Sequence, residues 1–156
     1  MKVKDIMTRD VITVHPTTIV EDIAYLLTKY CLGGVPVVDD ERRVVGIVTE
    51  SDLFVRKEPL LRSHHTFPSL FKVPVLLERL SEIYAERGSR FSAADVMTRK
   101  LIWVTEDDTV SNIVRLMMKF GIERLPVLTA APEVGGRLVG IITRSDIVRT
   151  LMQEER

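Results

Sequence analysis

The feature of the sequence that most constrains the fold is an internal repeat. A shift of 90 positions superposes the first part of one copy on the other, and the shift becomes 94 beyond a turn near residue 130, where the second copy has extra residues. Duplication followed by one loop insertion leaves such a pattern. We therefore expect two copies of one structural unit. The matched residues include Met7-Thr8-Arg9 with Met97-Thr98-Arg99, Pro36-Val37 with Pro126-Val127, Gly46-Ile47 with Gly140-Ile141, and Ser51-Asp52 with Ser145-Asp146.

The first half of each copy is predicted to be a strand followed by a helix. In the first copy, residues 11–14 are all β-branched, which favours a strand. Thr18 and Glu21 have the spacing of a capping box, and apolar residues then recur at helical intervals. The helix is expected to end near Gly33-Gly34, because glycine adopts the left-handed conformation of a helix stop without strain.

The second half of each copy is predicted to be a hairpin followed by another helix. Apolar residues 35–38 and residues 43–48 flank a polar turn at residues 39–42, which is typical of a hairpin. A helix is expected from Ser51 onward. In the second copy, the core face of the first helix is expected to comprise Val110, Ile113, Val114 and Met117.

Neither copy, at roughly 50 residues, buries enough surface to be stable alone. We therefore predict an α/β (α+β) fold in which two β-α-β-β-α motifs pack sheet to sheet as one pseudo-twofold module. The expected divisions are motif 1 at residues 1–57, a connector at 58–92 and motif 2 at 93–156. The connector is expected to begin as an irregular loop and to form a helix at about residues 75–87.

Composition excludes several classes of protein. The 22 basic and 22 acidic residues balance, so a broad nucleic-acid-binding surface is not expected. No run approaches the ~20 apolar residues that span a bilayer, and the charged N-terminus does not resemble a secretion signal. The single cysteine, Cys31, is expected to be a small buried hydrophobic residue in a reducing environment. Composition therefore indicates a cytoplasmic protein that does not act on a membrane.

A Thr-x-x-Asp sequence follows the last strand of each copy, at Thr49 to Asp52 and at Thr143 to Asp146. A strand that delivers a hydroxyl and a carboxylate to a helix N-terminus can bind phosphate and the hydroxyls of ribose. The alternative is that Thr49 and Thr143 simply cap the helices, with the aspartates completing each cap. The residues alone leave both interpretations open.

Taken together, these motifs resemble a pair of CBS domains, a Bateman module. The resemblance rests on the Asp-Val/Ile-Met-Thr start, the hydrophobic-Pro-Val-hydrophobic strand and the closing Gly-hydrophobic-hydrophobic-Thr-x-x-Asp, present in both copies. It implies a homodimeric regulatory module, not an enzyme, that binds AMP, ADP or ATP, or else S-adenosylmethionine or NAD, and acts on an unknown effector protein. The alternative is a ligand-free module for dimerisation or docking.

The resemblance also implies two ligand clefts, each lined by both copies. One cleft would combine Thr49, Ser51 and Asp52 with Lys100, Leu101, Ile102, Ile122, Glu123 and Arg124. The other would combine Thr143, Arg144, Ser145 and Asp146 with Asp10, Val11, Ile12, Leu32, Gly33 and Gly34. Arginine suits phosphate, whereas a carboxylate repels it, so the clefts are expected to be unequal. Alternatively, the arginines pair with nearby carboxylates.

Neither a catalytic constellation nor a metal site is predicted. The sequence brings no nucleophile together with a base and an orienting group. His64-His65 lies in the connector without a cysteine or a further histidine at a recognised zinc spacing.

Overall fold

The structure is a computed structural model that describes residues 1–55 and 91–154. The helices are α1 (Val20–Lys29), α2 (Glu50–Val55), α3 (Ala93–Val96), α4 (Val110–Phe120) and α5 (Arg144–Glu154), with 3-10 helices at Val3–Asp5 and Pro132–Val134. The strands are β1 (Gly34–Val38) and β2 (Val44–Thr49) in one two-stranded sheet, and β3 (Arg124–Leu128) and β4 (Leu138–Thr143) in another. The predicted α/β class and both hairpins are confirmed. The predicted connector helix lies outside the described residues.

The chain divides into two compact units, and each unit combines parts of both copies. Among the described residues, the first unit comprises residues 1–12, 38–45 and 100–154, and the second comprises 13–37, 46–55 and 91–99. We call residues 1–12 and 91–99 the lead-in segments of the first and second copies. Each lead-in segment therefore belongs to the unit that contains the closing Thr-x-x-Asp of the other copy.

The core of the first unit lies between α4, the sheet of β3 and β4, and the first lead-in segment. Ile113 and Met117 project from α4 onto this core, as the helical spacing predicts, and Val110 and Val114 are partly buried against it. β3 and β4 pair antiparallel with a bulge after Val127. The buried members are Val3, Met7, Val104, Ile113, Met117, Leu125, Val127, Ile142 and Ile147.

Each lead-in segment packs against a strand of its unit, with a methionine of the segment in close contact with a glycine of the strand. Thr8 and Ile141 exchange two backbone hydrogen bonds of 2.9 Å, and Met7 lies so close to Gly140 that a Cβ built there would be 2.6 Å from the Met7 sulfur. In the second unit the equivalent Cβ on Gly46 would be 2.5 Å from the Met97 sulfur. The repeated Met and Gly are therefore complementary parts of one packing motif.

The predicted strand at residues 11–14 is wrong, because only one residue of the segment forms a bridge. Val14 forms an isolated parallel bridge with Val37, and its N–H donates to the carbonyl of Pro36 at 3.0 Å. Proline has no N–H with which to donate in return, so the ladder cannot extend on that side. The second copy repeats the arrangement at Val104, which donates to the carbonyl of Pro126 at 3.1 Å.

The predicted capping box at Thr18 is also wrong. Ile19 is the N-cap of α1 and makes no side-chain cap, whereas the Thr18 hydroxyl accepts from the His15 N–H at 3.0 Å. Thr18 lies one residue before the N-cap position, and its hydroxyl stabilises the preceding turn instead. At the position equivalent to Ile19, the hydroxyl of Thr109 caps α4 by accepting from the Asn112 N–H at 3.2 Å.

The helix stop lies at Cys31 and not at Gly33-Gly34. α1 ends at Lys29, and Cys31 has a φ of 52°, whereas the equivalent Gly121 after α4 has a φ of 62°. Cys31 is exposed, so the prediction of a buried residue is wrong as well. A side chain at a left-handed position costs about 1–2 kcal/mol, which glycine avoids.

Replacing Cys31 with glycine is therefore expected to raise the free energy of unfolding by up to about 1 kcal/mol, since the greater freedom of glycine in the unfolded chain offsets part of the relief. Urea denaturation measures the change. Cys31→Ser is the matched control, because it keeps the Cβ and should bring no gain. Equal stability of Cys31→Gly and Cys31→Ser would contradict the account.

Charged side chains hold the first lead-in segment to the loop before α4. The ammonium groups of Lys2 and Lys4 lie 2.9 and 3.0 Å from Asp107 Oδ1, and Arg9 Nη1 lies 2.8 Å from Glu106 Oε1. Hydrogen bonds from Lys2 and Lys4 hold the pKa of Asp107 below its usual value, and Asp107 in turn raises the pKa of Lys4.

The lowered pKa of Asp107 determines how the stability of the fold changes with pH. A carboxyl whose pKa is lowered on folding stabilises the fold above its unfolded pKa of about 3.9, and this contribution is lost as pH falls through the folded value. The melting temperature of wild type is therefore expected to be slightly higher than that of Asp107→Asn at pH 7. Near pH 2 the two melting temperatures should coincide. The effect is small because the Asp107 side chain is 69% exposed. A melting difference that persists in acid would contradict this origin.

Candidate functional site

The Thr-x-x-Asp turn of the second copy joins β4 to α5 in the first unit. The Thr143 N–H donates to Asp146 Oδ2 at 2.9 Å, and the Thr143 hydroxyl donates to the same oxygen at 2.8 Å. The Asp146 N–H lies 3.3 Å from the hydroxyl oxygen. The capping role that the sequence suggests for Thr143 and Asp146 is therefore present. Its hydrogen bonds use only one of the two carboxylate oxygens of Asp146, Oδ2.

The turn of the first copy, in the second unit, has the same two hydrogen bonds from threonine to aspartate and one further bond. Asp52 Oδ2 accepts from the Thr49 N–H at 2.9 Å and from the Thr49 hydroxyl at 3.2 Å. Asp52 Oδ1 accepts from the hydroxyl of Thr98 at 3.3 Å. Sequence reasoning missed Thr98 as a neighbour of this site, although its place in the repeated Met-Thr-Arg was a usable signal.

Capping geometry alone does not identify a ligand site in this chain. Asp108 accepts from the Thr105 N–H and hydroxyl at 2.8 and 3.1 Å, and Asp95 accepts from Ser92 at 2.8 and 3.1 Å. What distinguishes Asp146 is burial: its residue surface is 5% exposed, and it is the one buried charged residue in the described part of the chain. Burying a carboxylate is costly unless it is paired, which makes the partners of Asp146 informative.

One guanidinium group contacts Asp146, and two others lie near Glu123. Arg149 Nη1 lies 3.5 Å from Asp146 Oδ1, and Arg144 Nη1 lies 3.2 Å from Glu123 Oε1. Arg124 is a looser neighbour of Glu123, at 3.8 Å. The pairing of an arginine with a nearby carboxylate, one of the two sequence-based alternatives, is thus observed for Arg144. Arg149 was missed from sequence, because the Thr-x-x-Asp motif does not include its position.

Gly33 and Glu123, each three residues before the proline that recurs in both copies, lie beside the helix start of their own copy. The Glu50 N–H donates to the Gly33 carbonyl at 3.1 Å, and the Arg144 N–H donates to the Glu123 carbonyl at 2.8 Å. The structure thus brings Gly33 to the first turn and Glu123 to the second. The grouping of these residues with the turn of the other copy involves both units and stays a prediction.

The remaining predicted ligand residues differ in burial, and Ile12 is among those that are half-buried. Val11 and Leu101 pack on a small cluster of the first unit, and Ile102 and Ile122 pack on its main core. Exposed residues are Asp10, Lys100, Ser51 and Ser145, while Leu32 is half-buried and Gly34 is buried in β1. The small cluster comprises Val38, Val44, Leu128 and Leu138, with Trp103 against it.

The described residues also bear on two other classes of protein, metal-binding and membrane-spanning proteins. Within residues 1–55 and 91–154, no three His, Cys, Asp or Glu side chains are placed to hold a metal ion together. Over the same residues, every helix is too short or too polar to cross a bilayer.

The chain belongs to the CBS domain family, which matches residues 3–57 and 93–153. An uncharacterized protein of Methanopyrus kandleri is 31% identical over 96% of this chain, which spans only 62% of that relative. The crystal structure of CBSX2 in complex with AMP aligns with 99% of this chain and 98% of its own, at 28% identity and a TM-score of 0.71. CBSX2 is from Arabidopsis thaliana.

A second solved structure is the CBS domain pair of protein MJ0100 in complex with 5′-methylthioadenosine and S-adenosyl-L-methionine. It aligns with 99% of this chain and 98% of its own, at 25% identity and a TM-score of 0.69. The predicted family membership is confirmed by these matches.

Proposed function

We propose that the chain is a regulatory module that binds an adenine nucleotide or a related adenosyl ligand and catalyses no reaction itself. The observation that carries this proposal is that Asp146 is buried and its two carboxylate oxygens have different partners. One oxygen of this buried carboxylate accepts two hydrogen bonds from Thr143, and the other lies 3.5 Å from Arg149 Nη1. A rigid carboxylate with one exchangeable partner is suited to accept hydrogen bonds from the two hydroxyls of ribose.

The relatives support the same ligand class. CBSX2 was crystallised with AMP, and the MJ0100 domain pair with S-adenosyl-L-methionine and 5′-methylthioadenosine. All three ligands share an adenosyl group and differ in what the ribose carries. AMP, ADP and ATP are therefore the first candidates for this chain, with S-adenosylmethionine and NAD as further ones.

Relay of the signal is proposed to occur through a homodimer and an effector protein. A ligand shifts such an equilibrium only if it binds the two dimer geometries unequally. The proposal therefore requires that saturating ligand changes the dimerisation constant or the shape of the dimer, and analytical ultracentrifugation with and without AMP measures both.

The second candidate function is a ligand-free module for dimerisation or docking. The observation that favours it is an exposed apolar stripe on α5, formed by Val148, Leu151 and Met152 at helical spacing. Such a stripe is typical of a surface that another protein covers.

Calorimetric titration separates the two candidates. AMP, ATP, NAD and S-adenosylmethionine are titrated into wild type and into the double variant Asp52→Ala/Asp146→Ala. Saturable heat with wild type that disappears in the double variant supports ligand sensing. Silence with all four compounds, in a chain that still dimerises, supports assembly alone. Nucleotide that is recovered unchanged after prolonged incubation argues against catalysis.

A further inference from the structure

We infer that Arg149 is an internal competitor for the carboxylate of Asp146: it occupies oxygen Oδ1 and must leave before ribose binds there. This inference rests on the proposed function and adds to it a means of self-inhibition that the sequence provides in the second copy and not in the first. Both residues belong to α5, so the contact involves the first unit alone.

The contact between Arg149 and Asp146 joins an exposed cation to a buried anion. Arg149 Nη1 lies 3.5 Å from Asp146 Oδ1, and the two side chains are 67% and 6% exposed. Burial of an unpaired carboxylate is costly, so the guanidinium stabilises Asp146. Charge-assisted hydrogen bonds are shorter, at about 2.7–2.9 Å, so this pair is loose enough to be exchanged.

The same contact opposes a ligand, because arginine and ribose make the same demand on Asp146 Oδ1. Oδ2 already accepts two hydrogen bonds from Thr143, so a ribose hydroxyl is expected to use Oδ1. A guanidinium and a hydroxyl both donate, and each occupies lone pairs that the other needs. Only the fraction of molecules in which Arg149 has left Oδ1 can bind ribose, which lowers the apparent affinity for ligand.

The first copy treats the second oxygen of its aspartate differently. Asp52 Oδ1 accepts from the hydroxyl of Thr98, a neutral group, at 3.3 Å. The position equivalent to Arg149 is Val55, which carries no charge. Salt screens the attraction between ions and affects a bond from a neutral hydroxyl less. We therefore expect ionic strength to change ligand affinity at the Asp146 turn and to leave the Asp52 turn nearly unaffected.

The test uses 5′-methylthioadenosine, because it has an adenosyl group and no net charge, so that salt acts on the protein alone. It is titrated calorimetrically into wild type and Arg149→Gln at about 0.05 and 0.5 M NaCl. At low salt the affinity of Arg149→Gln is expected to be about three- to fivefold higher than that of wild type. High salt should raise the affinity of wild type toward that of the variant. Without added ligand, the melting temperature of Arg149→Gln should be lower than that of wild type.

Two further variants separate competition from other roles of Arg149. Arg149→Lys keeps a cation three residues from Asp146 and should bind 5′-methylthioadenosine about as tightly as wild type does. Arg115→Gln removes the same charge from an exposed position on α4 and should bind within about twofold of wild type. A side chain that only supports the fold would lower stability and affinity together when removed, whereas removal of a competitor lowers stability and raises affinity.

An affinity of Arg149→Gln equal to or below that of wild type would overturn the inference. An equal gain in Arg115→Gln would do the same, as would failure of both wild type and Arg149→Gln to bind 5′-methylthioadenosine in a chain that binds AMP. If wild type and Arg149→Gln bind neither 5′-methylthioadenosine nor AMP, the proposed function itself fails.

Discussion

Replacement of Met7 by alanine is expected to lower the free energy of unfolding by about 2–5 kcal/mol, because it removes a buried side chain from the core of the first unit. Met7 packs with Val3 and Ile142 and against Gly140, although it lies near the N-terminus of the chain. A loss of this size is a large part of the total stability of a domain, typically about 5–15 kcal/mol. Chemical denaturation of wild type and variant measures it.

Met118→Ala is the matched control for this experiment. Met118 is 80% exposed on α4, so its removal is expected to change stability by less than about 0.5 kcal/mol. If Met7→Ala were no more destabilising than Met118→Ala, the first lead-in segment would not belong to that core.

Replacement of Asp146 by alanine is expected to weaken binding of AMP by about 100-fold or more. Two ribose hydroxyls would lose a charged acceptor, and each such hydrogen bond contributes about 1.5–3 kcal/mol. The same change removes a helix cap and is expected to cost about 0.5–2 kcal/mol of stability. Calorimetry measures the first effect and denaturation the second, both under conditions in which the variant is fully folded.

Asp108→Ala separates the loss of a cap from the loss of a ligand. Asp108 accepts from the Thr105 N–H and hydroxyl at 2.8 and 3.1 Å, as Asp146 does from Thr143, but it lies outside the proposed site. We expect Asp108→Ala to lose comparable stability and to keep its affinity for AMP. A similar fall in affinity in both variants would indicate that Asp146 acts only through the fold.

Much of the fold could be predicted because the repeat presents the same sequence pattern twice, so each copy supports the prediction made for the other. Both hairpins, the core face of α4 and the placement of each Thr-x-x-Asp after a strand follow from periodicity and turn residues. The family assignment required no structure either, since three motifs recur in order in both copies.

The errors have local physical causes. Pro36 cannot donate to a ladder, which reduced the strand predicted at residues 11–14 to a single bridge. Cys31 occupies a left-handed position where the second copy has Gly121, so a rule that relies on glycine located the end of α1 too late. Comparison of the two copies at this position would have corrected it.

Part of the site lay beyond reach of the sequence because it depends on packing. No spacing rule predicts that Met7 contacts Gly140 of the other copy, or that Thr98 reaches Asp52. Likewise, the burial of Asp146 is a consequence of how α5 follows β4. The approach of Arg149 to its second oxygen could have been predicted, because the two residues are three apart on one helix. These features separate Asp146 from the other capped aspartates.

A crystal structure of the chain grown with saturating AMP tests the central claim most directly. We expect the ribose hydroxyl oxygens within about 3 Å of Asp146 Oδ1, with Arg149 displaced from it. AMP bound elsewhere, with Asp146 still held only by Thr143 and Arg149, would contradict the account.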